Sequence, residues 1–193
     1  MNFYNEEINS KFNSDLQRQI DGTLPLNHVY QLGKASEILQ SAGIPKLEIE
    51  LDSKRLRRKS QQENHPFDLA DMKNLPEAVQ KPLAIFDSKA KQGSFVILTE
   101  IQQNGNNYVV ALMGNRAKGN IRINDIKSIY PKENSSAIAG WINDGLLRYA
   151  DKNKMGDWLS AREPNYHRRQ NPITLSKTVL QQFTNNNIAN SNT

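Results

Sequence analysis

Histidine is scarce in this chain: His28, His65 and His167 are the only three among 193 residues. His65 is the one set among other reactive side chains. It follows the basic run "KRLRRK" (54–59) by six residues and stands directly before a proline. An imidazole can give or take a proton near neutral pH. Lysine and arginine can neutralise phosphate oxygens, and serine, threonine and tyrosine can donate hydrogen bonds to them. Further along, "IKSIYPK" holds Ser128 and Tyr130 two apart on a predicted strand, so both leave the same face and Ile129 leaves the other, toward a core. This inventory suits cleavage of RNA by internal transphosphorylation. That reaction needs a base for the ribose 2′-OH, an acid for the leaving 5′-oxygen, and donors or cations for the phosphorane oxygens.

Other chemistries lack their residues. There is no phosphate loop and no dinucleotide glycine fingerprint. No His-x-x-x-His or acidic pair has metal-ligand spacing, so neither a metal nor another cofactor is expected. No Gly-x-Ser-x-Gly elbow appears. The chain has no cysteine, which excludes disulfides, thiolate zinc sites and cysteine nucleophiles.

Each reactive residue also has a plain explanation. His65-Pro66 favours extended backbone at residue 65, an ordinary way to enter a helix at Pro66. A charge run suits a solvated helix face. A polar pair is ordinary on an exposed strand. His28, beside Val29 and Tyr30 and just before an expected helix, reads as structural. His167, in "YHRRQ", reads as a surface segment. Trp141 and Trp158 sit at helical spacing among apolar residues and read as core or groove wall.

The net charge of +5 is unevenly spread. Residues 1–53 hold four bases and eight acids, the run 54–59 holds five bases and no acid, and the remainder holds sixteen bases and twelve acids. Basic character therefore begins abruptly at Lys54, as a polyanion-facing patch would. No apolar run approaches the roughly 18 residues of a membrane helix. The N-terminus has no apolar stretch of a secretory signal. A cytoplasmic protein, or one delivered into a target cell, is expected.

The elements that must position these residues begin with a helix over 3–20, where Phe3, Ile8, Phe12, Leu16 and Ile20 fall near helical spacing. A short helix over 34–42 follows, then a strand at 47–51. Asp52 or Ser53 caps a turn of helix carrying the basic cluster. A broken helix is predicted over 66–80, restarting at Pro76. Strands are predicted at 83–88, 94–101 and 107–113, the last two joined by an Asn104-Gly105 hairpin. "NRAKGN" (115–120) reads as a basic loop, 126–130 as a strand, 135–145 as a helix, 146–151 as a strand and 154–161 as a helical turn. Beyond about residue 165 the chain is polar and asparagine-rich, with a brief helix in "TLSKTVLQQF" and a disordered end. Helices first, then an antiparallel meander, point to an α+β fold.

The blocks "LPLNHVYQLGKASEILQSAGIPKLEIELDSKRLRRK", "HPFDLADMKNLPEAVQKPLAIFDS", "FVILTEI", "IKSIYPK" and "WINDGLLRYADKNK", in that order over roughly residues 24–155, resemble the C-terminal domain of phage MuF-type proteins. That family is assigned to the Barnase–EndoU–Colicin–RelE nucleases. The resemblance implies N-terminal helices packed on a four- or five-stranded antiparallel sheet. The expected organisation is an N-terminal helix (1–22), the nuclease-like domain (23–164) and a polar tail (165–193). The resemblance also implies a metal-independent ribonuclease of a phage or mobile element, acting as toxin or effector. RNA is its expected substrate and an acidic immunity or antitoxin protein its expected partner. The family's characteristic positions fall on Lys59, His65, Ser128, Tyr130 and Lys132. His65 is then the acid–base and Lys59 the phosphorane cation, with Ser128 and Tyr130 as donors to phosphate. Arg57, Arg58 and Lys132 are expected to bind substrate. A catalytically inactive module that docks nucleic acid or protein is the alternative. Members often form the tail of a larger phage protein, whereas this chain either stands alone or is an excised portion.

Overall fold

The computed structural model describes residues 6–132 and 135–161. The expectations for His167 and for the tail from residue 162 onward lie outside these residues, as does the start of the first helix. Helix α1 (Glu6–Ile20) carries Glu6 and Glu7 in its first turn and Arg18 in its last, the charge order that its dipole favours. Strand β1 (Val29–Lys34), helix α2 (Glu37–Ser41), strand β2 (Glu48–Asp52) and helix α3 (Ser53–Ser60) follow. Asp52 caps α3 by accepting from the Arg55 amide at 2.8 Å. A 3-10 turn (Leu69–Met72) and α4 (Leu75–Gln80) lead into β3 (Ala84–Asp87), β4 (Ser94–Gln103), β5 (Asn106–Lys118) and β6 (Ile121–Pro131). Helix α5 (Ser135–Asn143), β7 (Leu147–Ala150) and α6 (Lys152–Ser160) complete the order. The β4–β5 turn forms at Asn104-Gly105, both with positive φ (51° and 78°), as a two-residue hairpin of this twist requires.

The fold is α+β, but the sheet is larger than expected and is not purely antiparallel. It has seven strands in the order β1-β2-β6-β5-β4-β3-β7. The pair β2–β6 is parallel, aligning Ile49 with Asn124 and Glu50 with Asp125, and every other pair is antiparallel. The four- or five-stranded antiparallel sheet is therefore corrected. Strand β1 arises where the sequence suggested only a lead-in to a helix. The parallel contact joins segments more than seventy residues apart, so no local pattern announces it.

Two apolar layers flank this sheet. On the first face Phe12, Leu16, Leu39, Leu56, Met72 and Val79 of the helices meet Leu32, Ile49, Leu51, Ile97, Val110, Ile126 and Ile129 of the strands. On the second, Ile138 and Ile142 of α5 and Met155 and Trp158 of α6 meet Ala84, Phe86, Leu98, Val109 and Leu147. None of the second layer's residues belongs to β1, β2 or the first half of β6. A buried relay fastens α6: Trp158 Nε1 donates to Asn107 Oδ1 (2.9 Å), and Asn107 Nδ2 donates to the Thr99 carbonyl (2.8 Å). No helix among the described residues is long and apolar enough to cross a membrane.

Candidate active site

The parallel partnership ends early. After Asp125 strand β6 continues without β2 beside it, and α3 packs there instead. Beyond α3 the chain closes a strap. The amide of Gln62 donates to the Lys59 carbonyl (3.4 Å), that of His65 to the Gln62 carbonyl (3.2 Å), and that of Phe67 to the Ser60 carbonyl (3.0 Å). Phe67 is buried edge-on against Tyr108, with ring centroids 5.4 Å apart. This anchor drags the strap across the end of the sheet. The helix entry expected at Pro66 is not there: the first helical turn begins at Leu69, capped by Asp68. His65 is therefore the last polar residue of a closed strap rather than the first of a helix.

The half-buried His65 ring lies 5.8 Å from that of Tyr130, tilted by 31°. Lys132 Nζ sits 5.9 Å from the centre of the Tyr130 ring and 5.5 Å from that of Trp141. Trp141 meets Phe86 edge-on at 5.3 Å. Burial pushes the Tyr130 phenol above its ordinary range, which already lies well above neutral pH, and the protonated hydroxyl can donate a hydrogen bond. Ser128 pairs with Ala111, and Tyr130 with Val109. A bulge absorbs Lys127 between Ser128 and Ile126, which explains why Ile126 and Ile129 share the first apolar layer although three apart.

The basic cluster divides its labour. Arg55 Nη1 donates to Asp125 Oδ1 (2.8 Å) and to the Ile126 carbonyl (2.6 Å). Arg57 Nη2 donates to the Gln19 carbonyl (2.7 Å) and is committed to the end of α1. Arg58 is exposed, and Lys59 Nζ is 3.4 Å from Gln62 Oε1 in the strap. The structure thus groups His65, Tyr130 and Lys132, sets Lys59 at the base of the same strap and Ser128 on the same strand, and occupies Arg57 elsewhere. Trp141 is the residue that joins the group from the wall. Of the two places its apolar helical spacing left open, core or groove wall, the half-buried Trp141 takes the wall.

Asp125 gathers Arg55, Arg116 and Lys127, the last at 2.6 Å. Burial alone raises its pKa, but hydrogen bonds and charge from Lys127 and Arg55 outweigh it and lower the carboxyl below its usual value. A second ionic group lies in a cleft of about 540 Å³ between α1 and β1. There Asp15 meets Lys11 (2.8 Å), Arg18 (3.2 Å) and His28 Nε2 (3.3 Å). Among the described residues no group of three or more His, Asp or Glu side chains converges so as to hold a metal ion.

Compared with known protein families, the chain matches the phage MuF C-terminal domain over residues 56–157, more than half its length, and it belongs to that family. The match runs from α3 to α6 and contains the strap, β6 and α5. It begins at Leu56, well after the point near residue 24 suggested by the sequence blocks, and leaves β1, α2 and β2 outside. No curated protein and no solved structure matched the chain.

Proposed function

We propose that this member of the phage MuF C-terminal domain family is a nuclease of the Barnase–EndoU–Colicin–RelE kind. It would cleave RNA without a metal. The 2′-oxygen attacks the adjacent phosphorus, the bond from phosphorus to the 5′-oxygen breaks, and a cyclic phosphate and a 5′-hydroxyl remain. His65 takes the 2′-OH proton or returns one to the leaving oxygen. Tyr130, a neutral phenol whose pKa burial raises further, and Ser128 donate to phosphate oxygens. Lys132 and Lys59 offset the charge on the phosphorane, and Arg58 meets a flanking phosphate. The observation that carries this reading is the grouping of His65 and Lys132 about one ring, that of Tyr130, with the His65 ring 5.8 Å from its centre and Lys132 Nζ 5.9 Å from it. Such an activity fits a toxin or effector of a phage or mobile element, held in check by an acidic immunity partner.

One observation favours a second reading. The group holds one histidine, His65, and among the described residues no second imidazole or carboxylate stands beside Tyr130 and Lys132 in it to share the acid–base work. A module that binds nucleic acid or protein without turnover would need no more than that. Purified protein incubated with total RNA in EDTA, wild type beside His65→Ala, decides between them. Cleavage by the wild type alone, leaving cyclic phosphate ends, supports the nuclease. Cleavage by neither leaves the binding module, and equal cleavage by both removes His65 from the mechanism.

A further inference from the structure

The hairpin joining β5 to β6 runs past the rest of the sheet. Strand β4 pairs no further along β5 than Met113, and β2 reaches only Asn124 and Asp125 of β6. Residues 114–123 therefore form a two-stranded arm with no strand on either side. Residues 115–122 are all exposed, and Ile121 is 58% exposed. The arm carries Arg116, Lys118 and Arg122 and no acid. An isolated hairpin is marginal in water, so the arm needs bracing. Arg116 pairs with Asp125 and Lys118 with Glu50. Arg122 Nη1 donates to the Asn115 carbonyl at 2.8 Å.

Alternation along the strands decides which side chains share a face. Glu50 aligns with Asp125, Met113 with Asp125, Arg116 with Ile123, and Lys118 with Ile121. With the bulges at Lys127 and at Gly114-Asn115 taken into account, Arg116 and Lys118 lie on the same face as Asp125, Ser128 and Tyr130. Arg122, paired with Ala117, lies on the other. The two acids on this line are nearly covered, with side chains 7% (Glu50) and 4% (Asp125) exposed. Their partners Lys118, Arg116 and Lys127 stand 47%, 43% and 37% exposed. The charge this face shows to solvent is thus positive, with the exposed Ile121 at its tip. From Tyr130 to Ile121 the line spans nine residue steps, or about 30 Å.

We propose that the β5–β6 arm holds the substrate of the site described above: the backbone of single-stranded RNA lies along this face, with phosphates on Lys127, Arg116 and Lys118, and is led to His65 and Tyr130. This rests on the ribonuclease reading. A single strand is favoured over a duplex because the narrow major groove of A-form RNA does not admit such an arm. The 2′-oxygen must also swing into line with the phosphorus it attacks.

The test uses the full chain and a labelled single-stranded 2′-O-methyl RNA oligonucleotide, which cannot undergo the reaction. Affinity is measured across a salt series, with circular dichroism confirming the fold of each variant. Lys118→Gln and Lys127→Gln, which keep a hydrogen bond to their acids, are each expected to weaken binding and to flatten the slope of log K against log salt by about 0.7. Arg122→Gln removes the same charge from the opposite face and is expected to leave the slope unchanged. If the wild type binds and all three variants behave alike, or if duplex RNA binds more tightly than single-stranded, the arm assignment falls and the ribonuclease reading stands. If the wild type does not bind the oligonucleotide at all, the arm assignment falls, and the cleavage of total RNA in EDTA decides the ribonuclease reading separately.

Discussion

Arg55 of α3 reaches Asp125 of β6, and the same nitrogen reaches the carbonyl of Ile126. That contact sits where β2 stops pairing with β6. A strand that loses its neighbour exposes backbone groups that must find other partners. The guanidinium supplies the first of them, and α3 with its strap covers the stretch that follows. The edge on which Ser128 and Tyr130 stand is thus made by the early end of β2, and the basic cluster is partly the seal of that edge.

Asp125 makes this seal sensitive to acid. Its folded pKa lies below the ordinary value, about 3.9 in unfolded chains. The unfolded state therefore binds its proton first as pH falls. The stabilisation is fully present above about pH 4 and is lost as pH drops through the lower folded value. Asp125→Asn is expected to cost roughly 2 kcal/mol at neutral pH and to make the acid limb of a stability–pH curve shallower. Asp15, also lowered, keeps part of that limb. Urea midpoints between pH 7 and pH 2 check this, and an unchanged acid limb would remove Asp125 as its source.

Tyr130→Phe separates the hydroxyl from the ring. The ring packs against the second apolar layer, so the melting temperature should move little. Losing one donor to the phosphorane is expected to lower RNA cleavage by about 10²-fold. Full activity in the phenylalanine variant would show that the hydroxyl does not touch the reacting phosphate.

Gly33 has φ +86°, and a Cβ there would come within 2.9 Å of Ile8 Cδ1 on α1. Gly93 has φ +75° and open space around it. Both alanine variants incur the backbone strain, roughly 1–2 kcal/mol, and only Gly33→Ala also presses on α1. A larger shift of the urea midpoint at Gly33 than at Gly93 is expected, and equal shifts would mean that α1 yields without cost.

Local chemistry made much of this legible. The cap at Asp52, the turn at Asn104-Gly105 and the core-facing Ile129 each obey rules that act within a few residues. The errors share a different cause. "NRAKGN" resembled a loop because residues 115–122 bury neither face, and a strand without a buried face shows no apolar alternation. Strand β1 does alternate, with Tyr30 and Leu32 inward and Gln31 outward, but Gly33 interrupts the pattern. The parallel pairing of β2 with β6 is a long-range event. The strap failed for a subtler reason: His-Pro fits a helix entry, but Phe67 is anchored against Tyr108 and delays the helix to Leu69.

Gln80 offers the sharpest test of how the edge strand β1 is kept. Its Nε2 donates to the carbonyls of Leu32 and Lys34, both at 3.0 Å, and its Oε1 accepts from the Ser36 amide at 2.8 Å. One buried side chain from α4 thus takes the place of a neighbouring strand beyond the bulge in β1. Gln80→Leu keeps the volume and leaves these groups without partners, at a cost on the order of 3 kcal/mol. Gln80→Glu is more informative. A carboxylate can still accept from Ser36 but cannot donate to the two carbonyls, and burial beside them favours its protonated form. Its folded pKa is therefore raised above the unfolded value, about 4.3. The folded state then takes up its proton first as pH falls, so the deficit relative to wild type should shrink from pH 7 toward pH 4. Parallel pH curves for the two proteins would mean that Gln80 fills space beside β1 without serving as its hydrogen-bonding partner.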